Sequence, residues 1–190
     1  NNNYQEFLDQ VGQKLVNNSI AKETGYHYDF HLLADPNTIN AFALPGGQIF
    51  ITYALFSKLQ NEDQLAGVVG HEIGHVVGRH SADRMSKQGL TEGLLNRVAV
   101  AIDPNTAQDA AAIASIINMK YGREDELESD DLGIRFMINA GYNPEEMIGV
   151  MEILKRASGG NQVPEFQSTH PDPENRIQKI KESIKKYKSN

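Results

Sequence analysis

The chain has 190 residues, enough for one domain with a sizeable core, and its 39% hydrophobic and 23% charged residues are ordinary globular values; no apolar run reaches the roughly 18 residues of a membrane span. Its 18 basic and 25 acidic residues give a net charge of −7, and the basic ones gather mainly from Lys179 to Lys188 rather than beside aromatics, which argues against nucleic acid as a partner. With no cysteine there is neither a disulfide framework nor a thiolate metal site, so any zinc must be held by His, Asp or Glu.

The chain opens on Asn1-Asn2-Asn3 without a methionine or an apolar signal core, as expected of a processed or trimmed chain. Tyr4, Phe7, Leu8, Val11 and Leu15 recur at helical spacing and predict an amphipathic helix over about 3–18. Tyr26, Tyr28, Phe30 and Leu32 then alternate with His27, Asp29, His31 and Leu33, a strand pattern. It sets His27 and His31 about 13 Å apart along one face, too far to share a metal. Ala41–Leu44 and Gln48–Thr52 flank Pro45-Gly46-Gly47 and read as a β-hairpin.

A helix is expected from about Glu62, with Asn61 as its cap, Gln64 three residues later, and Glu62 and Asp63 favouring its positive end. Gly70, Gly74 and Gly78 each weaken an isolated helix by about 1 kcal/mol relative to Ala, so their small size points to close packing. The stretch 81–120 reads as two helical segments broken at Asp103-Pro104-Asn105. Helices follow over about 123–139, closed by Gly141 and Pro144, and about 144–156. Ser158-Gly159-Gly160-Asn161 reads as a flexible connection. A basic amphipathic helix ends the chain with Ile177, Ile180 and Ile184 on one face. The pattern is α+β, dominated by helix.

His71-Glu72-Ile73-Gly74-His75 lies on the helix from Glu62. Two histidines four apart stand about 40° from each other, so both imidazoles reach one metal ion with Glu72 beside it. Such a pattern arises by chance in roughly 1% of chains of this composition, and a third ligand is needed. A histidine following a glycine turn would have to stand at 81, where the chain has Ser81; His80 comes one residue early and reads as an outer-layer or structural residue. The alternative is a carboxylate from a later helix. Glu126 and Asp130 share a helix face, whereas Glu128 is turned about 200° from Glu126, so Glu126 is expected to bind metal and Asp130 to support a ligand. The competing reading is a solvated acidic helix start.

Together, His-Glu-x-x-His, then Gly122-Arg123-Glu124-Asp125-Glu126-Leu127-Glu128-Ser129-Asp130-Asp131, then Ser168-Thr169-His170-Pro171 through Arg176-Ile177 resemble the gluzincin zinc metallopeptidases that include the HtpX heat-shock protease, the CAAX prenyl proteases and soluble BepA-like periplasmic proteases. In that family the later helix reads Ser-Arg-x-x-Glu-x-x-Ala-Asp; here Gly122 replaces the serine and Ser129 the alanine, small residues for small ones. The absence of flanking membrane helices makes the chain similar to the soluble branch. The resemblance implies a helix-dominated zincin fold with a small sheet beside the active-site helix. It implies a single metallopeptidase domain over 1–190, with its core at about 20–177 and a last helix at about 173–187.

The resemblance also implies one Zn²⁺ per chain on His71, His75 and Glu126, with Asp130 and His80 behind them. Glu72 is then the general base, and His170 and Arg176 are catalytic as donors to the oxyanion. His170 has a second possible place, on the open metal position in a resting form; the plain alternative is a loop histidine and an ordinary helix arginine. By analogy with related zincins, Gln48, Ile49, Phe50 and Ile51 are expected to bind substrate along an exposed strand edge, the alternative being a buried central strand. The implied function is a zinc endopeptidase of extracytoplasmic protein quality control, periplasmic or membrane-associated in a bacterium, acting on unfolded or misassembled proteins. The rivals are a latent, non-catalytic zinc-containing binding or chaperone module and a fortuitous motif. Cobalt or manganese also suits such ligands in vitro.

Overall fold

Leu8, Val11 and Leu15 fall on one face of the first helix, α1 (Asn2–Asn17), and their complete burial fixes it against the rest of the chain. The computed structural model describes residues 2–87, 118, 120–158, 164–172 and 175–189. The expected break at Asp103-Pro104-Asn105 and the connection at Gly159-Gly160-Asn161 lie outside the described residues. After α1 come a short 3₁₀ turn (Ile20–Glu23) and three strands, β1 (Asp29–Leu33), β2 (Ala41–Ala43) and β3 (Gln48–Thr52). The helices that follow are α2 (Tyr53–Phe56), α3 (Glu62–Val77), α4 (His80–Lys87), α5 (Arg123–Asn139), α6 (Glu146–Ala157), α7 (Glu165–Thr169) and α8 (Arg176–Lys188). This is the expected helix-dominated fold with a small sheet.

The hairpin forms as expected: β2 and β3 are antiparallel, and Gly46 and Gly47 take φ of 95° and 110°, values open to glycine. β1 is shorter than the alternation suggests, because pairing with β3 starts at Asp29 opposite Gln48 and runs parallel to Leu33 opposite Thr52. His27 therefore lies outside the strand, while His31 hydrogen-bonds Gln48 across it at 2.7 Å. Phe30, Ile49, Ile51, Ala41 and Ala43 share the core face. His31, Phe50 and Phe42 stack in a row on the other.

The strand order β1-β3-β2 corrects the expectation for Gln48, Ile49, Phe50 and Ile51. β3 is the central strand, so its backbone groups are spent on both neighbours and none is left to pair a peptide. Two-residue alternation alone does not tell an edge from a centre. The outer edge of β1 is closed differently: Gln5 of α1 donates its amide to Phe30 O at 2.7 Å and accepts from Leu32 N at 2.9 Å, as a neighbouring strand would.

Helix α3 runs through the middle and is buried all round from Gln64 to Val76. Its start matches the sequence signals. Asn61 accepts from Gln64 N at 2.9 Å, and the Gln64 side chain accepts in return from Gln60 N at 2.8 Å. Along one face α3 meets α5 backbone to backbone. A Cβ on Gly74 would lie 2.8 Å from Ser129 O, one on Gly70 3.3 Å from Gly133 O, and one on Gly133 3.0 Å from His71 N. In α8, Ile180 and Ile184 are buried as expected, but Ile177 is exposed; the buried row is Arg176, Ile180 and Ile184, spaced by four. Asp131 of α5 holds this helix by accepting from Ser183 and Tyr187 at 2.5 and 2.6 Å.

Two glycines of α3 should therefore respond oppositely to alanine. At Gly67 the nearest atoms to a Cβ are 3.6 Å away, so Gly67→Ala should add up to about 1 kcal/mol of helix propensity. At Gly74 the obstacle is backbone, and Gly74→Ala should destabilise by about 1–2 kcal/mol despite that gain. Urea unfolding of both variants checks the pair of signs.

Candidate metal centre

One turn of α3 separates His71 from His75, and their Nε2 atoms converge to 3.0 Å with the rings nearly perpendicular at 85°. The close crossing of α5 delivers Glu126, whose Oε1 is 3.2 Å from His75 Nε2 and whose Oε2 is 3.5 Å from His71 Nε2. His170, at the end of α7, completes the group from the other side. Its Nδ1 lies 3.4 Å from His71 Nε2, 3.3 Å from His75 Nε2 and 3.0 Å from Glu126 Oε1. All four residues are buried, and one ligand atom of each lies within 4.8 Å of every other.

The donor chemistry fits a cation at this point. His71 Nδ1 donates to Asp130 Oδ1 at 2.8 Å, and His75 Nδ1 faces His80 Nδ1 at 2.9 Å. With those protons on Nδ1, as ligation through Nε2 requires, both Nε2 lone pairs would point into one space, an arrangement that repels itself unless a cation sits between them; without one, a proton on His71 Nε2 takes that place. Glu126 Oε2, both oxygens of Glu72 and His170 Nε2 are buried without a hydrogen-bond partner. Each such group costs about 1–3 kcal/mol, more when charged.

The ionisation pattern carries the same demand. Burial opposes charge on His71, but Glu126 and Asp130 outweigh it and push its pKa up to about 10. Burial, aided by the positive charge of its neighbours, holds His75 well below the usual imidazole range. Burial also works against a charged Glu126, yet His170 and His71 draw its carboxyl well below its normal value. The pocket thus keeps one carboxylate ionised and calls for positive charge beside it. Glu72 is different: burial raises its carboxyl, as suits a proton acceptor in a dry site.

Asp130 is held from behind. Arg176 Nε donates to Asp130 Oδ2 at 2.6 Å and Nη2 to Oδ1 at 2.9 Å, and Nη2 also stands 3.2 Å from Glu126 Oε2. This corrects the expectation that Arg176 donates to an oxyanion: its guanidinium is buried and spent on two carboxylates behind the ligands. A sequence motif cannot say on which side of the site an arginine arrives. His80 stands behind His75, at the rear nitrogen and away from the ligand space, and Glu128, set aside by its angle from Glu126, reaches His80 Nε2 at 3.4 Å.

Two aromatic residues were not signalled by the sequence. Tyr121 stacks on His75 with centroids 3.8 Å apart, its hydroxyl shares a hydrogen bond with Ser81 Oγ at 2.7 Å, and its backbone N bonds Thr169 O beside His170. Phe166 stacks on His170 at 4.3 Å. Neither has a spacing that separates it from an ordinary core aromatic. Asp125 fixes the first turn of α5 by accepting from Gly122 N at 2.9 Å and from Arg84 Nε at 2.9 Å, which is the N3 half of a capping box whose N-cap glycine offers no side chain.

The chain is similar in sequence to known proteins. A model of peptidase family M48 matches residues 2–184. The chain belongs to peptidase family M48. Among M48-related proteins it is 32% identical over 183 residues to the beta-barrel assembly-enhancing protease of Escherichia coli (strain K12), which covers 90% of this chain and 37% of that protein. It is 32% identical over 177 residues to the mitochondrial metalloendopeptidase OMA1 of Saccharomyces cerevisiae, covering 90% of this chain and 50% of that protein. The OMA1 of Arabidopsis thaliana is 31% identical over 146 residues, 76% of this chain and 29% of its own. The chain thus spans half or less of the length of these relatives. The M48 match agrees with the gluzincin resemblance and makes this a metallopeptidase domain whose family is metal-dependent.

Removing Arg176 should expose how the M48 site is held. In the metal-free chain, Arg176→Met leaves buried carboxylates without their partner and should cost about 3–5 kcal/mol at neutral pH. Burial tends to raise the Asp130 carboxyl, but Arg176 and His71 hold its folded pKa below the normal value. Its pairing therefore stabilises fully above the unfolded value of about 4 and is lost as the pH falls through the lower folded one. Urea unfolding should show the gap between parent and variant narrowing below about pH 4.

Proposed function

We propose that this domain is a zinc-dependent endopeptidase in which His71, His75 and Glu126 hold the metal and Glu72 is the general base. The observation that carries the reading is a buried carboxylate with no hydrogen-bond partner, Glu72, whose Oε1 lies 3.6 Å from His170 Nε2 and which stands one position along the helix from the first of two converging imidazoles. A purely structural site has no use for such a group. Bound there, Zn²⁺ would supply Lewis acidity that lowers the pKa of water toward neutrality and polarises a peptide carbonyl. Glu72 takes a proton from the attacking water at one of its free oxygens and passes it to the leaving amine. Asp130 keeps His71 in the tautomer that presents Nε2, and Arg176 keeps Asp130 ionised.

His170 has two successive roles in this proposal. Its Nδ1, gathered with His71, His75 and Glu126, would be a fourth ligand and would close the site in a resting form. Moved off that position, its imidazole is the remaining donor for an oxyanion, since Arg176 is engaged elsewhere. With β3 central and β1 closed by Gln5, β2 is the remaining edge strand among the described residues; its Ala43 O already accepts from Ser81 Oγ at 3.3 Å, so an extended substrate would pair at Ala41, beside α3. Pairing through backbone groups is largely independent of sequence and suits unfolded or misassembled proteins. Protein quality control outside the cytoplasm is the setting favoured by the gluzincin resemblance and by relatives named for β-barrel assembly and for mitochondrial endopeptidase activity.

Metal content and casein cleavage test the reading. The purified chain and Glu72→Gln should each retain one zinc, with cleavage by the parent alone and none after chelation; absence of zinc from the parent would overturn the ligand assignment. For the closed form, His170→Ala should bind zinc more weakly than the parent in chelator competition and, lacking the oxyanion donor, should cleave casein more slowly even at saturating zinc. Zinc affinity equal to the parent's would remove its role as a cap, and undiminished cleavage would remove its role at the oxyanion.

A further inference from the structure

Helix α3 does not continue into α4. Gly78 ends it, and Arg79 takes φ of 59°, a left-handed conformation that few non-glycine residues adopt. The chain turns back at that residue and folds the His80 ring under α3, into space that exists only because residue 78 has no side chain: a Cβ there would lie 2.5 Å from His80 Nε2. The ring is buried and meets His75 edge to face, with Nδ1 2.9 Å from His75 Nδ1. Ser129 Oγ is 3.2 Å from the same His80 nitrogen, and Glu128 Oε2 is 3.4 Å from the other.

These contacts have one proton arrangement compatible with His75 as a ligand. His75 must offer the Nε2 lone pair and so carries its proton on Nδ1. His80 Nδ1 must then be an acceptor, which puts the His80 proton on Nε2, directed at Glu128. Resting on the metal reading above, we propose that His80 is a positioning residue for metal binding: its Nδ1 fixes the tautomer and orientation of His75, and Glu128 fixes His80 in turn from the surface. The two metal histidines are therefore supported unequally. Behind His71 stands a buried carboxylate clamped by Arg176; behind His75 stands a neutral imidazole whose own partner, Glu128, is 61% exposed. Ser129, where relatives are expected to carry alanine, brings a second hydroxyl contact to the accepting nitrogen. The histidine that misses the spacing of a direct ligand by one residue thus serves the second ligand from behind.

Zinc affinity by chelator competition, with the visible spectrum of the Co²⁺-loaded chain, tests this without reference to activity. His80→Ala should weaken Zn²⁺ about 10–100-fold and alter the Co²⁺ bands. His80→Asn sets an amide oxygen at the position of Nδ1 and should recover most of that affinity and the parental spectrum, although it does not refill the space of the ring. Parental affinity in His80→Ala would overturn the proposal. So would a His80→Asn chain that melts like the parent yet binds zinc as poorly as His80→Ala, because the ring's bulk and not its acceptor would then matter. A parent that binds no zinc would instead remove the metal site itself.

Discussion

The backbone contact between α3 and α5 is the constraint on which the site depends. A carboxylate side chain reaches only a few ångströms, so Glu126 can share a point with His71 and His75 only where the two helices nearly touch. Gly70, Gly74, Ser129 and Gly133 make that approach possible, and each larger side chain would force the helices apart. The glycines weaken α3 as an isolated helix, and complete burial of its length compensates, since helices in proteins draw most of their stability from packing. Local helix strength is thus given up at the position where chemistry requires proximity.

From that crossing the polar groups are arranged in layers. Innermost are imidazole and carboxylate atoms that converge on one point, with both Glu72 oxygens, Glu126 Oε2 and His170 Nε2 left without a hydrogen-bond partner. Behind them, Asp130 stands against His71 Nδ1 and His80 against His75 Nδ1, and Arg176 and Glu128 contact that second layer from outside. The elements farther out serve this order. Asp131 docks α8 so that Arg176 arrives behind Asp130, Arg84 and Asp125 fix the first turn that carries Glu126, and the aromatic rings of Tyr121 and Phe166 flank His170. Among the described residues buried charge is tolerable because nearly every charged atom has a partner, and the exceptions cluster at one point.

Periodicity made most of the fold legible. α5 occupies the residues its capping and closing signals define, and the hairpin and the start of α3 follow from turn and cap chemistry that acts over a few residues. Local spacing also brought His71, His75, Glu126 and Asp130 to attention, because a helix converts sequence separation into angle. What depends on assembly was not legible. Alternation places Ile49 and Ile51 on one face of a strand but does not say that the strand is central. The position of Arg176, the approach of His170 Nδ1 and the stacking of Tyr121 on His75 are long-range contacts with no periodic signature. His80 shows the boundary between the two: its spacing excludes direct ligation, while its actual place depends on one left-handed residue that a pattern does not reveal.

X-ray absorption at the zinc edge of the loaded chain tests this arrangement most directly. The structure predicts a low-coordinate shell of nitrogen and oxygen with three imidazoles, those of His71, His75 and His170, and the Glu126 carboxylate. A water-rich six-coordinate shell, or one with a single imidazole or none, would contradict the convergence of α3 and α5 on one ion.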